Sequence, residues 1–170
     1  GFIYALAIAD AYVKNGMRHV LVIGSEVMSA ITDWTDRNTC VLFGDGAGAV
    51  VVGQGTEGSG ILSTHLHANG GLSDMIQVPG GGSREPASKE VLQEKRCFIK
   101  MKGNETFKIA VKSMEEATKE ALDANKLHMD DVDLFIPHQA NMRILNAVGQ
   151  RLGLAREKLM INLDRFGNTS

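Results

Sequence analysis

Two short motifs carry residues with chemistry in them: Pro137-His138-Gln139-Ala140-Asn141 and, after an interval of about one helix, Gly167-Asn168-Thr169-Ser170. A histidine ring and an asparagine amide can both donate hydrogen bonds to one developing oxyanion, an arrangement suited to forming carbon–carbon bonds on a thioester. The pair lacks a nucleophile. Taken singly, each residue has a plainer use: His138 follows a proline at a strand end and reads as a structural histidine, and Asn168 suits a turn because asparagine tolerates left-handed geometry.

The two thiols do not supply what is missing. Cys40 lies in the apolar run 39–43 with no helix start behind it, and Cys97 heads an apparent strand. Neither setting lowers a thiol pKa, and neither residue belongs to a C-x-x-C pair, so both read as reduced structural cysteines. Asp45-Gly46-Ala47-Gly48 invites a phosphate-loop reading, but such a loop should open a helix, and here the chain runs on as the β-branched segment 49–52. His65-x-His67 puts two imidazoles on one strand face, as a metal site would; with no third ligand nearby in sequence, packing or surface roles are preferred.

The elements that must position these residues follow from periodicity. Phe2, Ala5, Leu6, Ala9 and Val13 have helical spacing, with Asn15-Gly16 as the stop and a short strand over 19–23 ending at Gly24-Ser25. Segments 48–53 and 60–67 read as an antiparallel hairpin joined by the turn Gln54-Gly55-Thr56-Glu57-Gly58-Ser59. The Gly-, Ser- and Pro-rich stretch 69–89 is expected to be a surface excursion, with brief pairing at 75–78. The clearest helix is 106–125, with Phe107, Ala110, Val111, Met114, Ala117, Ala121 and Leu122 on one stripe. A strand over 132–136, a helix from Ala140 to Gly153 and a strand over 159–163 complete the order, an α/β rhythm.

Composition limits the function classes. The 170 residues, 44% hydrophobic, suffice for a packed core. A formal charge of −2 gives no electrostatic case for nucleic acid. No apolar stretch matches a membrane span and no signal-peptide pattern opens the chain, so no membrane association and a cytoplasmic location are expected.

In their order along the chain, seven segments resemble β-ketoacyl-acyl-carrier-protein synthase III, a family of thiolase-like condensing enzymes. They are Gly1-Phe2-Ile3-Tyr4-Ala5-Leu6, Asp36-Arg37-Asn38-Thr39, Phe43-Gly44-Asp45-Gly46-Ala47-Gly48-Ala49, Ser63-Thr64-His65-Leu66-His67, Gly103-Asn104-Glu105-Thr106-Phe107-Lys108, the histidine motif, and Leu163-Asp164-Arg165-Phe166 running into the asparagine motif. The resemblance implies an α/β fold, a thiolase-like αβαβα layered sandwich of two related halves, here partial. Residues 1–97 would be the later part of the N-terminal half, with an excursion at 69–96, and 98–170 the first part of the C-terminal half. It further implies a catalytic cysteine just upstream of Gly1, so that this chain is the middle of an enzyme roughly twice as long and inactive alone.

By the same resemblance the reaction takes an acyl group from acyl-coenzyme A, acetyl above all, onto that cysteine and condenses it with malonyl acyl carrier protein. His138 and Asn168 would be catalytic. Arg37 would hold the adenine and phosphate end of coenzyme A; Gly103, Asn104 and Phe107 would line the pantetheine channel, and Asn141 would be the pocket asparagine. Met28, Phe43 and the loop before Ile76 would set pocket depth, while Lys108 and Arg143 would dock the acidic carrier. No metal or redox cofactor is implied, acyl-coenzyme A being a substrate, and the enzyme would be a homodimer. The alternatives are another Cys-His-Asn condensing enzyme, such as a polyketide starter synthase, and a non-catalytic carrier-binding or dimerisation module.

Overall fold

A computed structural model describes residues 1–56 and 58–170; Glu57, in the turn expected between the hairpin strands, lies outside them. Helix α1, Phe2–Lys14, turns only Ala9 fully inward, and the Asn15 N–H closes it on the Ala11 carbonyl (3.1 Å). It packs on a two-stranded antiparallel sheet of β1, His19–Val27, and β2, Asp45–Gly53. The register runs from His19 opposite Gly53 to Val27 opposite Asp45.

This pairing corrects the hairpin reading. Segment 48–53 takes its partner from 19–27, and 60–67 forms no strand. Gly24 does not stop β1 either: it sits opposite Gly48, and the ladder continues four residues beyond Ile23, to Val27. A turn-rich sequence signals that the chain can reverse, but a strand's partner is chosen by face-to-face packing that sequence proximity does not reveal.

Residues 60–67 are tied down by side chains instead. His65 Nδ1 and His67 Nε2 both hydrogen-bond the Glu120 carboxylate (3.1 and 2.6 Å), and the Tyr4 hydroxyl donates to the His67 carbonyl (2.8 Å). Among the described residues no group of three His, Cys, Asp or Glu is arranged to hold a metal. The excursion is more ordered than its composition suggests. Its helix α2, Lys89–Gln93, capped by Ser88, buries Val91 against Gly80, and β3, Ile76–Gln77, pairs with β4, Lys100–Met101. Cys97 accordingly precedes β4 rather than heading a strand.

Helix α3, Gly103–Ala124, and helix α4, Met142–Leu152, build the core around Val111, Ile144 and Val148, with Phe107, Ala110, Met114 and Phe135 packed against them. Burying aliphatic side chains of this size contributes about 1.5–3 kcal/mol each. Asn141 caps α4 by accepting from the Ile144 N–H (2.9 Å), and Gly153 ends it at φ +65°, a left-handed conformation that glycine adopts without steric cost. The strands expected at 132–136 and 159–163 shrink to one parallel bridge, Phe135 with Leu159, and 163–166 instead form the helical turn α5, Leu163–Phe166. Each segment is a short, mostly apolar run, but among the described residues only the Phe135–Leu159 position finds a ladder partner. No helix among the described residues is long and apolar enough to cross a membrane.

Candidate active site

The bridge at Phe135 carries the chain through buried Pro137 to His138, and the Ala140 N–H folds back onto the His138 carbonyl (3.0 Å). From Leu159 the partner segment runs through α5 to Gly167, at φ +70°, and Asn168. A third segment fixes the end of this run: the Asn168 N–H donates to the Leu42 carbonyl and the Gly44 N–H to the Asn168 carbonyl, both at 2.9 Å. Three loops separated widely in sequence thus meet at one place.

They border a cavity of about 640 Å³. His138 and Asn168 both line it, as do Gly103, Asn104 and Phe107 from the first turns of α3 and Asn141 at the start of α4. Lys108 and Arg143 stand on its rim, both exposed, with the Arg143 guanidinium 5.3 Å from the Phe107 ring centroid in a cation–π contact. The N-terminal end of α3, with its outward-pointing N–H groups, adds partial positive charge at the same mouth.

Hydrogen bonding fixes the orientation of the two asparagines. Asn168 Oδ1 accepts from the Ser170 N–H (3.0 Å), which leaves its Nδ2 as the group able to donate. Asn141 Oδ1 is likewise occupied by its capping bond, so toward a ligand it too offers Nδ2. His138 keeps an exposed surface, but the protein packed around its ring desolvates it and pushes its pKa below the ordinary 6.5, so at neutral pH it is an uncharged imidazole with one N–H to donate. A neutral donor beside an amide donor stabilises an anion that forms during reaction without holding one beforehand.

Arg37, Met28 and Phe43 lie off the cavity wall. Arg37 is exposed on a turn whose Asp36 carboxylate accepts from the Asn38 N–H (3.0 Å) and the Thr39 hydroxyl (3.0 Å). Met28 is buried behind the end of β1, and Phe43 is half-buried in the backbone bridge to Asn168. Leu42, Ile76 and Met101 line the cavity without having been singled out as site residues. Their only sequence signal is apolar character, which core residues share; strand pairing brings Ile76 opposite Met101. Neither Cys40 nor Cys97 reaches the cavity.

Residues 1–70 match the family model for 3-oxoacyl-[acyl-carrier-protein (ACP)] synthase III, and residues 122–170 match the model for the C-terminal part of the same family. The β-ketoacyl-[acyl-carrier-protein] synthase III of Caldanaerobacter subterraneus subsp. tengcongensis is 54% identical over 171 residues, covering 100% of this chain and 52% of that protein. The crystal structure of 3-oxoacyl-[acyl-carrier-protein] synthase III from Aquifex aeolicus VF5 superposes with a TM-score of 0.86 at 46% identity, covering 100% of this chain and 51% of that one. The priming β-ketosynthase of the R1128 polyketide biosynthetic pathway has a TM-score of 0.85 at 33% identity, covering 99% of this chain and 50% of that one. The chain spans about half the length of the curated relatives it matches.

Proposed function

Because this chain belongs to the 3-oxoacyl-[acyl-carrier-protein] synthase III family and has its thiolase-like layered α/β fold, we propose that the protein catalyses the initiating condensation of fatty acid synthesis. An acyl-coenzyme A, acetyl first, and malonyl acyl carrier protein give 3-oxoacyl carrier protein, carbon dioxide and coenzyme A. The observation that carries this reading is the shared cavity of His138 and Asn168, with the Asn168 amide oriented as a donor.

The chemistry proceeds in two stages. A cysteine thiolate outside these 170 residues attacks the acyl-coenzyme A carbonyl and expels the coenzyme A thiolate, since Cys40 and Cys97 do not border the cavity. Malonyl thioester then loses carbon dioxide; the electron pair left behind moves into its carbonyl, where the His138 N–H and Asn168 Nδ2 receive the negative charge. The resulting enolate carbon attacks the acyl-cysteine, and the cysteine thiolate leaves. Gly103, Asn104 and Phe107 would pass the pantetheine arm, with Asn141 as the pocket asparagine, Arg37 would hold the nucleotide end, and Lys108 with Arg143 would meet the acidic carrier. Met28 and Phe43 would act from behind the wall, on pocket depth.

We assign residues 1–97 and 98–170 to the two halves of the fold, and a cytoplasmic homodimer without metal or redox cofactor to the enzyme. The likeness to a polyketide priming synthase favours one second reading, a condensing enzyme with a different starter acyl group. Incubating the full-length protein with acetyl-coenzyme A and then malonyl carrier protein tests the proposal by intact mass. A gain of one acetyl group, discharged with release of carbon dioxide when the carrier is added, is expected. Acylation only by longer or branched starters would support the polyketide reading, and no acylation by any starter would leave a binding or dimerisation module.

A further inference from the structure

Gln139 follows His138 in the motif and is absent from the cavity wall. Its side chain bridges the two loops that deliver the oxyanion donors. Nε2 donates to the Pro137 carbonyl (3.1 Å) and across to the Met160 carbonyl (3.2 Å), while Oε1 accepts from the Asn162 N–H (3.0 Å). Both amide hydrogens and the oxygen are used. A flipped carboxamide would set its oxygen against two carbonyls and its hydrogens against an N–H, so the orientation is determined.

The position of these bonds gives them meaning. The backbone ladder between the two segments consists of the Phe135 N–H to the Lys158 carbonyl (2.7 Å) and the Met160 N–H to the Phe135 carbonyl (2.9 Å). Past Met160, no further backbone hydrogen bond joins residues 136–141 to 160–168 among the described residues, and the Gln139 amide supplies the next rungs. Asn162 is also where α5 begins: its carbonyl accepts from the Arg165 and Phe166 N–H groups (3.0 and 3.2 Å), and the Gly167 N–H closes on the Leu163 carbonyl (2.9 Å) immediately before Asn168. One end of the amide therefore grips the His138 loop, and the other grips the base of the turn that carries Asn168.

We propose that Gln139 is a positioning residue that sets the His138 and Asn168 donors in register, bonding its own loop at Pro137 and the facing segment at Met160 and Asn162. This rests on the condensing function proposed above. The thioester oxygen must receive both donors at once, and displacement of one loop by about 1 Å costs on the order of a hundredfold in rate. Acylation of the cysteine in the first stage, by contrast, is independent of the Gln139 link.

The test separates the two half-reactions in the full-length protein. Gln139→Met keeps the side-chain length and removes all three bonds; condensation with malonyl carrier protein is expected to slow roughly ten- to a hundredfold while acetyl transfer from acetyl-coenzyme A stays within about twofold. Combined with Asn168→Ala, it should add little further loss, because the misplaced donor is already gone. Gln139→Glu is the second variant: one carboxylate oxygen still accepts from the Asn162 N–H but the other opposes two carbonyls, so its condensation deficit should shrink as pH falls and the carboxyl protonates. Equal loss in both half-reactions, no loss in either, or multiplicative loss in the double variant overturns the positioning role. A wild-type protein that condenses nothing overturns the proposed function, and this inference with it.

Discussion

Phe43 and Asn168 face each other in a parallel bridge whose two backbone bonds, through Leu42 and Gly44, hold the asparagine at the cavity edge. Gly44 makes that approach possible: a Cβ there would lie 2.1 Å from the Phe166 carbonyl oxygen, and backbone on both sides leaves nothing flexible to yield. Gly44→Ala should therefore displace the Asn168 turn, lowering the condensation rate by roughly tenfold or more. Gly48→Ala, four residues on within β2, where a Cβ meets nothing within 4 Å, is the matched control. Steady-state rates and melting curves for both variants measure this, and a fully active Gly44→Ala protein would refute it.

Removing either donor should affect the decarboxylative stage. His138→Ala and Asn168→Ala are each expected to slow malonyl decarboxylation by about a hundredfold or more, with cysteine acylation largely preserved. Release of labelled carbon dioxide, compared with acetyl uptake followed by mass, reads the two stages separately.

The lowered pKa of His138 predicts the acid limb of the pH profile. The neutral ring is the competent form, so activity should hold as pH falls to 6.5 and decline only below it, through the lowered folded value. Folding stability also drops through that window, because the unfolded imidazole takes up a proton that the folded ring resists. In His138→Gln the stability slope between pH 6.5 and the wild-type limb should flatten, which denaturant titration at several pH values would show.

Lys108 and Arg143 are exposed at the rim, where charge governs encounter more than residence. Alanine at both should raise the KM for malonyl carrier protein several-fold at low ionic strength, with the difference narrowing as salt is added, while kcat changes little. A deficit independent of salt would instead implicate loss of the Arg143 contact with Phe107.

Glu120 receives hydrogen bonds from His65 and His67, and these hold its carboxyl below the ordinary 4.5. That contribution to stability is present above 4.5 and disappears as pH falls through the lowered folded value. Glu120→Gln should thus melt below the wild type at neutral pH and converge with it in acid; parallel melting curves across the whole range would exclude the clasp.

The helical parts of the fold, and the identity of the two motifs, were legible in the sequence. The stripe from Phe107 to Leu122 announced α3, and Gly153 marked the end of α4, because helix bonds close within four residues and leave their period in the local order of side chains. The strands were not legible in the same way. Segment 49–52 reads as a strand from its valines, but nothing local says that its partner is 20–23 rather than 60–67.

The site divides along the same line. His138, Asn168, Gly103, Asn104, Phe107 and Asn141 could be named from the chain because their motifs are contiguous, and the folded chain places all six on one cavity. What only the tertiary structure decided is how they are held: the backbone of Leu42 and Gly44 clasping Asn168, the Gln139 amide joining two loops, and Glu120 taking both imidazoles of 60–67. Each of these contacts joins residues about 20 to more than 120 positions apart. Periodicity records bonds that close nearby; a hydrogen bond across the fold leaves no period in the sequence, only a residue type with several possible uses.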